Sequence, residues 1–186
     1  MKLIILSNRL PVKIKKNENN EFIISPSEGG LATGLGSLDT DTEKIWIGWP
    51  GIHTDDESEK QEITKRLNNL NFYPVFLSEE QIELYYEGYS NSVIWPLCHY
   101  FYSYIDYNAE YWEAYQEVNK MFAEAAFPLI DDEDIIWVQD YQLMLLPALI
   151  REQRSKVSIG YFHHIPFPSY ELFRLLPKRE TVLNGL

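Results

Sequence analysis

The sequence is poor in cysteine, in positive charge and in long apolar runs. A single cysteine, Cys98, in 186 residues allows no internal disulfide. That excludes stapled secreted scaffolds and suits a reducing compartment, the cytoplasm. Sixteen Lys and Arg stand against 28 Asp and Glu, a formal net charge of −12. No basic run offers a landing strip to a phosphate backbone or an anionic membrane, so neither nucleic acid nor membrane is an expected partner. At the start, only Leu3 to Leu6 are apolar before Ser7-Asn8-Arg9, too short for a signal-peptide core. The stretch Ile135 to Ile150 is broken by Gln139, Asp140 and Gln142 and falls short of the roughly 18 apolar residues of a membrane span. Repeats and low-complexity tracts are missing too. What is present is 45% apolar and 15% aromatic residues, enough for a self-standing core at this length.

Periodicity gives the order of elements. Leu3 to Leu6 is a continuous apolar run, the mark of a central strand buried on both faces. Val12 to Lys15 and Glu21 to Ile24 flank the turn-rich Asn17 to Asn20, a hairpin. Gly29 to Gly36 turns into a short helix, and Lys44 to Gly48 reads as a strand closed by Trp49-Pro50-Gly51. Thr54 with Glu57 forms a capping box for a helix carrying Ile63, Leu67 and Leu70. Phe72 to Leu77 is a strand demoted to an edge by Pro74. Ser78 with Gln81 opens a second capped helix, expected to stop at Gly88. Tyr111, Tyr115, Val118, Phe122 and Ala125 step by four and three, a long amphipathic helix up to Pro128. Ile135 to Val138, a helix with Pro147 in its first turn through Arg154, a strand over Val157 to Phe162 and a helix from Ser169 to Pro177 complete the series. The fold class is α/β, a parallel sheet with helices on both faces. Thr181 to Leu186 shows no helix stop followed by a finishing strand, so the chain reads as part of a longer protein.

In such a sheet, ligands sit beyond the carboxyl ends of the strands. That rule selects Asn8-Arg9, Trp49, Asp140 and His163-His164. Arg9 offers a fork of donors for phosphate or carboxylate, or a surface ion pair. Gly29-Gly30 lets backbone approach a diphosphate, or is an ordinary turn; Gly34-Leu35-Gly36 lacks the third glycine of a dinucleotide fingerprint. Asp140 accepts from a sugar hydroxyl, acts as a base, or caps a helix. His164, in a loop stiffened by Pro166 and Pro168, donates one hydrogen bond and accepts another, or is simply packed. No further His or Cys stands near it at metal-site spacing, so no metal is expected. Tyr85-Tyr86, Trp95-Pro96 and the run Tyr100 to Tyr104 line a sugar site or fill a core.

Taken together and in order, Ser7 to Val12, Gly29-Gly30-Leu31, Gly48-Trp49, Tyr85-Tyr86, Trp95-Pro96, Trp137 to Tyr141 and His164 to Pro168 resemble the trehalose-6-phosphate synthase family over the whole chain. The resemblance implies the N-terminal, acceptor-side Rossmann-like domain (residues 1–186) of a two-domain GT-B glycosyltransferase. This is a retaining enzyme that moves glucose from UDP-glucose to glucose 6-phosphate without a cofactor or metal. It assigns Arg9 to the acceptor phosphate, Tyr86, Trp95 and Asp140 to the acceptor, Gly29 and Gly30 to the donor diphosphate, and His164 to the transferred glucose, with Asp140 and His164 as the catalytic pair. The C-terminal donor-binding domain of that family lies outside these residues. Three other readings stand beside it: a transferase using another phosphorylated acceptor, a non-catalytic sugar-phosphate sensor and a nicotinamide-dependent oxidoreductase.

Overall fold

Strand β1 (Lys2–Arg9) occupies the middle of the molecule because its apolar run is wanted on both faces: Ile4, Ile5 and Leu6 are buried to 1% exposure or less. A computed structural model of the chain describes residues 1–27 and 42–186. Around β1 lie β4 (Glu43–Trp49), β5 (Phe72–Pro74), β6 (Ile135–Gln139) and β7 (Ser158–Phe162). All pair in parallel in the order β5-β4-β1-β6-β7. The expected hairpin is present as the antiparallel pair β2 (Val12–Lys16) and β3 (Phe22–Pro26). The helix expected after Gly29 lies outside the described residues.

Helix α1 (Glu57–Asn68) covers one face, where its Ile63 and Leu67 pack with Ile5, Trp46 and the hairpin residues Val12 and Phe22. The opposite face, carrying Ile4, Leu6, Ile45 and Ile47, packs against the other helices. These are α2 over residues 79–98, α3 (Ala109–Ala126), α4 (Leu146–Gln153), the short α5 (Tyr170–Phe173) and α6 (Arg179–Gly185). Among the described residues, no helix is long and apolar enough to cross a membrane.

Several boundaries differ from the sequence expectation, each for a local reason. The cap of α1 is Asp56, whose Oδ1 accepts from the Ser58 and Glu59 N–H groups, while Thr54 Oγ1 donates to Glu59 Oε2 instead. Strand β5 ends at Pro74, short of the expected Leu77, and sits at the edge as expected, where the missing Pro74 N–H costs no bond because the next one is made by the Val75 N–H to the Gly48 carbonyl. Helix α2 opens with the Ser78–Gln81 capping box but does not stop at Gly88. That glycine admits a neighbour: a Cβ there would stand 2.7 Å from Cδ1 of Tyr111 on α3. Ser169 stands before a single turn and its side chain makes no cap hydrogen bond, and α6 was not visible in the pattern. Its buried Val182 is held by packing rather than propensity.

Just before β6, the buried carboxylate of Asp134 accepts from the backbone N–H groups of Lys2 and Asp131 and pairs with the Lys2 ammonium at 3.3 Å. Burial alone would push this carboxyl up. The two backbone donors and the ammonium outweigh it and hold Asp134 below the usual range.

Candidate functional site

Parallel pairing brings four of the selected residues to one edge of the sheet. Leu6 is level with Val138 in β6, and Gln139 with Phe162 in β7. Arg9, Trp49, Asp140 and His164 therefore all lie at or just past the carboxyl ends of neighbouring strands, about 4.8 Å apart from strand to strand.

Arg9 reaches its place through an irregularity. Along β1 and β4 the register runs Leu6 with Ile47 and then Arg9 with Trp49, so three residues of β1 are set against two of β4. Such a bulge reverses the alternation of side chains. Without it, Arg9 would follow Ile5 and Ser7 toward the α1 face. With it, the guanidinium turns to the other face, with its carbon 5.1 Å from the centre of the Trp49 ring. Trp49 in turn meets Tyr86 of α2 at 6.4 Å. Gly48 makes the bulge feasible, since a Cβ there would lie 2.8 Å from the Ser7 carbonyl oxygen and 2.9 Å from the Leu10 nitrogen. The Ser7 hydroxyl secures the bend by donating to the Arg9 carbonyl at 2.7 Å and accepting from Trp46 Nε1 at 2.6 Å. Arg9 is exposed, and among the described residues its guanidinium has no ion-pair partner.

Helix α2 presents Tyr86 and Trp95 by an unusual winding. Residues Ile82–Ile94 form a π-helix, and the Trp95 N–H still bonds five residues back, to the Ser90 carbonyl. The buried positions Tyr85, Tyr89 and Ile94 follow this wider turn. At about 4.4 residues per turn, the nine positions from Tyr86 to Trp95 make two turns and place both rings on one side. At 3.6 residues per turn they would make two and a half, on opposite sides. Trp95 is 38% exposed and stacks on His99 with ring centres 4.0 Å apart.

Asp140 and His164 are in direct contact. The Asp140 Oδ1 accepts from the His164 N–H at 3.1 Å and from the Tyr141 N–H at 2.9 Å, so the same carboxylate caps the 3-10 turn Tyr141–Leu143 and ties down the His164 loop. Its own N–H donates to the Phe162 carbonyl at 2.7 Å. The backbone of Asp140 stands at φ 70°, ψ 171°, a region that is almost exclusively glycine's and costs an L-residue about 1–3 kcal/mol. A strained aspartate at a strand end beside a histidine is the strongest local sign of a functional site among the described residues.

Behind this pair runs a half-buried chain of contacts that sequence reasoning missed. His163 meets the Tyr161 hydroxyl at 2.7 Å through Nδ1 and Cys98 Sγ at 4.0 Å through Nε2. Burial holds His163 below the usual imidazole range; the Asp140 charge opposes this and His164 adds to it. Burial likewise pushes the Cys98 thiol up to about 12, with the Asp140 charge adding to it. The Tyr141 hydroxyl donates to Asn91 of α2 at 3.1 Å, joining the helix to the Asp140 turn. Gln139 contacts His164 Nε2 at 2.9 Å. Its position just before Asp140 was the available signal. Gly29 and Gly30 lie outside the described residues. Among the described residues, no group of three His, Cys, Asp or Glu is placed to hold a metal ion.

The chain as a whole is similar to known proteins. The UDP-forming alpha,alpha-trehalose-phosphate synthase of Emericella nidulans is 42% identical to this chain, which is covered completely but spans 38% of that protein. Among solved structures, a trehalose-6-phosphate enzyme from E. coli bound with UDP-2-fluoro glucose aligns with a TM-score of 0.79 and 30% identity over the whole chain and 38% of its own length. A UDP-forming synthase from Burkholderia xenovorans in complex with glucose-6-phosphate gives 0.78 and 28% at the same coverage. The family model described as Glycosyltransferase family 20 matches residues 1–186. A Rossmann-like sheet with a cation, a carboxylate and an imidazole on its carboxyl edge, matched along its whole length by that model, belongs to glycosyltransferase family 20.

Proposed function

We propose that this chain binds the phosphorylated acceptor in a retaining glucosyl transfer from UDP-glucose to glucose 6-phosphate, which yields trehalose 6-phosphate and UDP. The observation that carries the reading is the Arg9 guanidinium, turned by the β1 bulge over Trp49, whose ring in turn meets Tyr86. It stands without an ion-pair partner among the described residues, with Asp140 at the end of the adjacent strand and His164 one strand further on. Arg9 takes the acceptor phosphate through charge-assisted hydrogen bonds. Tyr86 and Trp95 give the sugar ring apolar faces, and Asp140 accepts from an acceptor hydroxyl. His164 stands beside the transferred glucose, and the family resemblance assigns Gly29 and Gly30 to the donor diphosphate. The donor's own phosphate oxygen takes the proton of the attacking hydroxyl, so no protein nucleophile is needed. A net charge of −12 leaves this half ill-suited to a UDP-sugar alone, and the donor is assigned to a second domain beyond residue 186.

Calorimetry with glucose 6-phosphate, glucose and UDP-glucose, each added separately to the chain, tests the division of labour. Binding is expected for glucose 6-phosphate and not for UDP-glucose. Efficient glucosyl transfer by residues 1–186 alone would refute it.

A further inference from the structure

Gln139 ends β6 almost wholly buried, at 1% exposure, and the reading above gives it no part. Its Oε1 lies 2.9 Å from His164 Nε2, while its own Nε2 has no hydrogen-bond partner. An interior amide that leaves its N–H unpaired forfeits stability, so the position is expected to give something other than stability in return. We propose that Gln139 is a positioning residue: it holds neutral His164 as the Nε2–H tautomer, which leaves Nδ1 as a lone-pair acceptor for a sugar hydroxyl. The inference rests on the assignment of His164 to the transferred sugar.

A neutral imidazole carries one N–H, and an oxygen facing one ring nitrogen draws the proton to that nitrogen. A glutamine oxygen neither titrates nor donates, so the preference does not change with pH. The ring has little freedom otherwise. The Phe162 ring lies 4.6 Å away and the His164 backbone N–H is fixed on Asp140. His164 itself is exposed, and Nδ1 has no partner among the described residues. A lone pair there accepts from a hydroxyl and repels a phosphate oxygen, so it distinguishes the sugar of a nucleotide sugar from its diphosphate. The opposite orientation of the Gln139 amide would present N–H to Nε2, force the proton onto Nδ1 and make His164 a donor suited to an anion.

Long-range proton–nitrogen NMR of the uniformly nitrogen-15-labelled chain reads the tautomer directly. At about pH 9, well above the ordinary imidazole range, with the resonance assigned by His164→Gln, the expected result is protonation at Nε2. Protonation at Nδ1 overturns the proposal. Gln139→Met removes the acceptor and is expected to give a mixture of tautomers, whereas Gln139→Glu keeps an oxygen in place and retains Nε2–H. An unchanged tautomer in Gln139→Met overturns the proposal as well, and the wild-type spectrum decides even where a variant fails to fold. No substrate is present in these spectra, so the two readings fail separately. Nε2–H with no calorimetric response to glucose 6-phosphate sinks the function alone, and Nδ1–H with normal binding sinks the role of Gln139 alone.

Discussion

Asp140 is held by its hydrogen bonds in a backbone conformation that its side chain disfavours. Asp140→Ala loses both side-chain bonds and keeps the strain, while Asp140→Gly loses the bonds and relieves it. Urea unfolding is expected to rank the glycine variant above the alanine variant by about 1–2 kcal/mol, and equal midpoints would mean that the conformation is not strained. For Arg9, the expectation concerns ligands rather than stability. Arg9→Ala should weaken glucose 6-phosphate by about 1.5–3 kcal/mol and leave free glucose nearly unchanged; equal losses by calorimetry would make the residue structural. Cys98, with its thiol pushed up to about 12 by burial, should resist thiol reagents near pH 8 until the chain is unfolded. At this scale the sequence was informative where a side chain directly follows a strand, as with Arg9, Asp140 and His164. It was silent on Gln139 and on the chain from Tyr161 to Cys98, because those contacts join residues 25 and 65 positions apart and leave no mark on local spacing.

The central strand β1 was legible as a continuous apolar run buried on both faces, and the long helix α3 because its burial follows the period of 3.6. Helix α2 was not, because its winding departs from that period. Gly88, read as a helix stop, proves to be the point where α3 lays Tyr111 against the π-helix, so the substitution has a clear cost. Gly88→Ala should destabilise by about 1–3 kcal/mol through overpacking, measured by denaturant midpoint. The winding has its own test. Deleting Ser92 shortens the path from Tyr86 to Trp95 by one residue and turns the indole by roughly 80–100° about the axis. Acceptor binding should be lost while the far-ultraviolet helical signal persists. Retained binding would mean that Trp95 does not share a site with Tyr86.

Across the whole molecule, the Asp134–Lys2 contact fastens the first residues of β1 to the turn before β6. Because the Asp134 carboxyl is held below its usual value, its contribution to stability is complete above the ordinary unfolded value of about 3.9. It is lost as pH falls through the lower folded value. Asp134→Asn should lower the neutral-pH midpoint and flatten the acid limb of a stability profile; an unchanged acid limb would remove Asp134 from the account. The layered α/β architecture followed from the alternation of strands and helices along the chain. What did not follow was handedness of delivery, which face of the sheet each end-of-strand side chain serves, since that depends on the one-residue surplus in β1 opposite Gly48. The surplus acts as a parity switch. The same residues paired in unbroken register past Leu6 would build the same sheet but turn the Arg9 guanidinium into the α1 layer, away from Trp49.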